Sequence, residues 1–173
     1  MGRIHLLAVV VLSAWMAITV CMWFAAGGSF STVKSVVEGS NPQFAAASKA
    51  MSPDQTRVVL RYLTSEINRT YFRAYGWAQL VLGGLLLGLL LRAAPRDTFN
   101  LALAGAMLVL AAVLTLYITP EIVALGRQVD FVPRDPAPPE MARFRALHGA
   151  FTGLDGAKLM AGLVLLGRWV LAR

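Results

Sequence analysis

Residues 4–26 read IHLLAVVVLSAWMAITVCMWFAA, a run without one charged side chain. A bilayer core about 30 Å thick takes about 20 helical residues, so this run is long enough to cross it. It is too long for the apolar part of a secretory signal, typically about 7–15 residues, and an uncleaved membrane anchor is expected.

Three further runs lie downstream. Residues 74–91 stand between Arg73 and Arg92, and residues 98–120 between Asp97 and Glu121. Residues 146–167 stand between Arg145 and Arg168 but carry His148, Asp155 and Lys158. An Asp or Lys costs about 2.5–3.5 kcal/mol at the centre of an inserting helix, so these groups must pair, sit near an end or face the protein interior.

The composition agrees. Of 173 residues, 57% are apolar and 14% charged, and the mean hydropathy is +0.63. Disorder and an ordinary soluble fold are excluded at this apolarity. The single cysteine, Cys21, excludes a disulfide scaffold and a multi-cysteine metal site. The net charge of +7 flanks apolar runs, which points to phospholipid headgroups and not to nucleic acid.

The expected fold is an all-α integral membrane protein, one membrane domain over residues 1–173. It is a four-transmembrane-helix bundle with helices 2 and 4 extending beyond the bilayer. Spans fall near 4–26, 73–92, 98–120 and 148–171, with extramembrane helical segments near 30–70 and 121–147. Gly27 and Gly28 are expected to end the first helix. Asn41-Pro42 and Ser52-Pro53 each read as an N-cap followed by proline in the first turn. Val59, Leu63, Ile67, Tyr71 and Tyr75 recur every four residues, predicting one helix that runs into the second span, its stripe packed against the segment before helix four. Thr119-Pro120 predicts a kink or restart, and the four prolines from Pro133 to Pro139 a stiff connector.

Four spans put both termini on one side. Arg3, Arg92, Arg96, Arg168 and Arg173 are dense on that side's short segments, so the termini are expected in the cytoplasm and the protein in the plasma (inner) membrane.

His148, Thr152 and Asp155 fall at i, i+4 and i+7 on one face of the last helix, the candidate polar intramembrane site. They serve either a relay, ion path or ligand site, or a structural contact satisfied by neighbours such as Arg73, Tyr117 or Arg127. Lys158, three residues on, stands where it neutralises Asp155. Gly149, Gly153, Ala157 and Ala161, with Gly84 and Gly88 on the second span, form small-residue seams for packing within the bundle or between copies. The two histidines, His5 and His148, belong to opposite ends of the bundle and cannot share a haem, and no cofactor is expected. Trp15, Trp23, Trp77 and Trp169, with Tyr71, Tyr75 and Tyr117, read as interfacial anchors.

Tyr117-Ile118-Thr119-Pro120 closing span three, and Phe144-Arg145-Ala146-Leu147-His148-Gly149 leading into the last span, resemble the transmembrane protein 205-like family of small four-helix proteins. The resemblance implies four spans and no established reaction. More distantly the chain is similar to copper-resistance membrane domains, which implies metal handling. No complete catalytic motif occurs. The expected role is therefore non-enzymatic, structural or in association with the bilayer, a second copy or another membrane protein. The alternative is a small transporter or metal-handling protein using the His148 face.

Overall fold

A computed structural model describes residues 2–132 and 136–171; Arg173 of the orientation argument and Pro133 of the connector lie outside the described residues. The described residues are helical with short connections and contain no strand. Four helices are long and apolar enough to cross a membrane: Arg3–Glu38, Pro53–Arg92, Thr98–Val129 and Glu140–Leu171.

Helix α1 (Arg3–Glu38) does not stop at Gly27 and Gly28. Two glycines cost a helix about 1 kcal/mol each against alanine, but the turns beyond them are held from the side. Asn68 Nδ2 donates to Ser29 Oγ at 2.9 Å. The Ser29 and Thr32 hydroxyls fold back onto the carbonyls of Ala26 and Gly28, both at 2.9 Å.

Both proline caps form. Asn41 Oδ1 accepts the Gln43 and Phe44 amides at the start of α2 (Pro42–Ala47). Ser52 and Gln55 close a capping box on α3 (Pro53–Arg92), which then runs 40 residues through Arg69 and Tyr75 without a break. At 1.5 Å per residue, α3 is about 60 Å long, so its first half lies outside the hydrocarbon.

Asp97 caps α4 (Thr98–Val113), its Oδ1 accepting the Phe99 and Asn100 amides. The predicted irregularity at Thr119-Pro120 is a π-helical turn, Leu114–Ile118, leading directly into α5 (Thr119–Val129). Proline has no amide to offer the carbonyl four residues back, and a wider turn just before it absorbs that loss. Helix α6 (Glu140–Leu171) closes the bundle.

In cross-section α3 packs on α1 and α4, and α6 on α1 and α4, so α3 and α6 face each other across the centre. The His5 ring meets Trp169 edge-on at 5.1 Å, which puts both chain ends at the same end of the bundle. Buried apolar side chains, among them Leu12, Trp15, Leu86, Met107, Leu165 and Trp169, fill that half. A smaller cluster of Met22, Tyr75, Leu114, Ile118 and Phe151 lies toward the other end.

Two expectations about faces are corrected. The stripe Val59, Leu63, Ile67 and Tyr71 points outward, while Thr56, Thr64, Asn68 and Arg69 are buried. The residues after α5 meet α3 on other side chains, Phe131 on the Tyr62 ring at 4.8 Å and Asp130 on Arg69. The stripe continues into exposed Trp77, Val81 and Leu85 on the same side of α3. The glycine seams do not serve packing within the bundle. A Cβ on Gly84, Gly88, Gly149 or Gly153 would meet nothing within 4 Å, and Ala157 is exposed and Ala161 half-buried. Close approach occurs at Gly76, Gly83 and Gly162. A Cβ on Gly83 would stand 2.7 Å from the Trp15 ring, and one on Gly76 2.7 Å from Thr115 Cγ2.

Candidate functional site

At the bundle centre, polar side chains from three spans meet. Thr19, placed one turn from Trp15 and one from Trp23, comes from α1; Tyr75 and Gln79, also one turn apart, from α3; Asp155 and Lys158 from α6. Asp155 is fully buried and Lys158 1% exposed, a depth at which neither charge survives without partners. They have them. Lys158 Nζ stands 2.5 Å from Asp155 Oδ1, donates to Tyr75 Oη at 3.0 Å, and reaches Gln79 Oε1 with its remaining proton. Asp155 also accepts the Trp23 indole N–H at 2.8 Å and the Tyr75 hydroxyl at 2.9 Å. Thr19 Oγ1 lies 3.1 Å from the same hydroxyl. The Lys158 ammonium stands 5.8 Å from the centre of the Trp15 ring.

Every ammonium proton is spent, and the carboxylate holds three donors. The arrangement ties α1, α3 and α6 at one level. On the terminus side it rests on the apolar core of Leu12, Leu86, Met107 and Leu165, which closes the bundle to water.

On the other side of Trp23 the bundle opens. A cavity of about 640 Å³ lies between the second half of α1, the first half of α3, α5 and the start of α6. Trp23, Phe30, Phe72, Phe144 and Phe151 line it together with Arg61, Asn68, Arg69, Asp130 and His148. The residues lie toward the end of the bundle away from His5 and Trp169. Arg69 is 9% exposed, gives Nη2 to both Asp130 oxygens at 3.0 and 2.8 Å, and gives Nη1 to Glu66 at 2.6 Å. Gly126 lets the guanidinium in: a Cβ there would stand 3.0 Å from Nη2.

The predicted trio is therefore divided. His148 and Thr152 line the cavity and are exposed, while Asp155 is sealed a turn or two deeper. The partners of Asp155 are Trp23, Tyr75 and Lys158, and neither Arg73, Tyr117 nor Arg127 is among them. The His148 ring stacks on Phe144 at 5.8 Å, far from His5, and makes no hydrogen bond among the described residues. No group of three or more His, Cys, Asp or Glu side chains comes together among the described residues. Trp15 and Tyr75 are core residues and not interfacial anchors. Asn68, in a glycosylation-like Asn-Arg-Thr triplet, is buried against Ser29. Gln79 was invisible to a search for charged groups, yet it is the sole amide in the second apolar run, which was the available signal.

One family model, described as a domain of unknown function, DUF4149, matches residues 6–130, well over half of the chain. The chain belongs to the DUF4149 family. This overturns the resemblance to the transmembrane protein 205-like family: the matched region, which includes Tyr117 to Pro120, is assigned to DUF4149, and nothing found points to the other family. The match covers α1 to α5, so Asp155 and Lys158 lie outside it, whereas Trp23, Tyr75, Gln79 and Arg69 lie within. No curated protein and no solved structure matches the chain. This DUF4149 protein is accordingly a multi-pass membrane protein in contact with the bilayer, and its function rests on its own geometry.

Proposed function

We propose that the protein is a non-enzymatic membrane protein that holds a small amphipathic molecule in its one-sided cavity. The observation that carries this is the cavity, lined by aromatic and by charged side chains at the end of the bundle away from the termini. About 300–1,000 Å³ is the ordinary range for a small-molecule site, and the volume of about 640 Å³ falls within it. The polar tie below holds the helices that wall the site, and the reading narrows the expected association role to one of binding.

One observation favours a transporter: a buried carboxylate and ammonium in a membrane bundle are common on ion paths. The apolar half beneath them weighs against it. In the orientation favoured by the arginine distribution, the termini are cytoplasmic and the cavity opens on the outer face of the inner membrane. Reporter fusions near residue 45 and at the C-terminus test that placement.

The binding role is tested on protein purified in a nonionic detergent. One equivalent of amphiphile is expected in a solvent extract or after incubation with total lipid. Thr152→Trp fills the cavity without removing any contact between helices, since the Thr152 hydroxyl only folds back onto the His148 carbonyl. It should lose the amphiphile and keep the unfolding midpoint. Wild-type protein that retains no amphiphile under either condition would refute the reading.

A further inference from the structure

Resting on that binding role, we infer that the ligand carries no net charge and that its polar end is a hydroxyl or carbonyl group. The charges along the lining are already matched inside the protein. Arg69 gives Nη2 to both oxygens of Asp130 and Nη1 to Glu66, and the side chains of Arg69 and Asp130 are only 9% and 8% exposed. Phe144 lies beside them: a Cβ on Gly126 would stand 3.0 Å from Arg69 Nη2 and 3.4 Å from Phe144 Cε2. Arg61 is engaged as well. A charged head entering here would either stay without a counter-ion among aromatic side chains or take one member of a nearly buried pair from the other. Both leave a desolvated charge without its partner.

What the lining leaves open is uncharged. Ser65 on α3, Thr119 at the start of α5 and His148 on α6 all line the cavity, and none of the three side chains makes a hydrogen bond among the described residues. The Asn68 amide, by contrast, is bonded to Ser29, and the Thr152 hydroxyl to the His148 carbonyl. Two hydroxyls and an imidazole donate and accept hydrogen bonds without requiring a counter-charge. They suit a hydroxyl or carbonyl oxygen, which loses little on leaving water once it is bonded again. The aromatic side chains of the same lining take the apolar remainder of the molecule. Phe72 and Phe151 meet edge to face at 5.2 Å, and Trp23, its indole N–H spent on Asp155, offers the ligand only its ring.

The test uses full-length protein in nonionic detergent and three oleoyl esters that differ only in the head: monoolein, uncharged; oleoyl lysophosphatidic acid, anionic; and oleoylcholine, cationic. Binding is read by native mass spectrometry and by tryptophan fluorescence at a fixed ratio of probe to detergent. One molecule of monoolein is expected to bind about tenfold more tightly, or better, than either charged ester. Combining Ser65→Ala, Thr119→Val and His148→Phe removes the three open groups, keeps a ring against Phe144 and breaks no side-chain hydrogen bond within the bundle. Monoolein affinity should then fall by about tenfold with the unfolding midpoint unchanged. The milder pair Ser65→Ala and Thr119→Val, measured alongside, should show part of the same loss. A charged ester bound as tightly as monoolein, or monoolein affinity untouched in the folded variants, overturns the inference and leaves the binding role standing. Saturable binding of none of the three esters overturns the binding role with it.

Discussion

Replacing Asp155 by Asn keeps the shape of the side chain and removes the charge that Lys158 is paired with at 2.5 Å. Lys158 then retains only neutral oxygens, those of Tyr75 and Gln79, in a site where its side chain is 1% exposed. Breaking a buried pair from one side costs about 3–5 kcal/mol, because the remaining charge stays desolvated without its counter-ion. At about 2–4 °C per kcal/mol for a chain of this size, the unfolding midpoint should fall by about 6–20 °C. Lys158→Met should cost a similar amount, slightly less, since Asp155 keeps the Trp23 and Tyr75 donors. The double variant removes both charges and should be more stable than the sum of the single losses implies, with a coupling energy of about 2–3 kcal/mol. The assay is thermal or denaturant unfolding in detergent micelles, with all four proteins in the same micelle. Additive losses, or single variants as stable as the wild type, would refute the claim that these residues form one unit.

Three further outcomes follow from other parts of the bundle. Gly83→Ala should destabilise by about 1–3 kcal/mol, because the new methyl meets the Trp15 ring and Leu108, whereas Gly84→Ala one position on meets open space and should cost nothing; equal effects in the same unfolding assay would contradict the packing. Reconstituted protein should pass neither protons nor copper, and robust flux that disappears in a stable His148→Ala variant would favour the transporter. The Asn100 amide, with Arg168 and the Phe99 amide behind it, holds the Asp97 carboxyl below its usual range. A depressed folded value means that the cap contributes stability above the ordinary carboxylate range and loses it as the pH falls through the folded value. Hydrogen exchange at Phe99 and Asn100 should therefore accelerate, beyond its intrinsic pH dependence, only on acidification below about pH 4, and protection that persists well below that would count against the cap.

The four spans, the proline caps and the break before Pro120 were legible because each depends on local chemistry: a run length, an oxygen beside free amides, a missing N–H. Which way each helix faces was not. Val59, Leu63 and Ile67 look like a buried stripe under the rule for soluble helices, yet that face of α3 turns out, and Thr64, Asn68 and Arg69 turn in, Asn68 to bond Ser29 and Arg69 to bond Glu66 and Asp130. The same inversion exposed Gly84 and Gly149 and buried Gly83 and Gly162. Asp155 with Lys158 was legible as a pair three residues apart, but Trp23, Tyr75 and Gln79 are brought to it from 79 to 132 positions away by the packing of whole helices. The cavity, too, depends on how α5 and α6 splay from α1 and α3, which no short motif encodes.

The central tie also constrains how the chain is made. With a mean hydropathy of 1.3 over its best window, α6 is the span least able to enter a bilayer alone, against 2.3, 1.7 and 2.5 for those before it. It carries both charged members of the tie. The groups that receive them, the Trp23 indole, the Tyr75 hydroxyl and the Gln79 amide, sit on spans synthesised earlier and already in place when α6 leaves the ribosome. Entry of the last span is then a docking step onto a waiting template, and three spans alone would surround an unfilled polar centre.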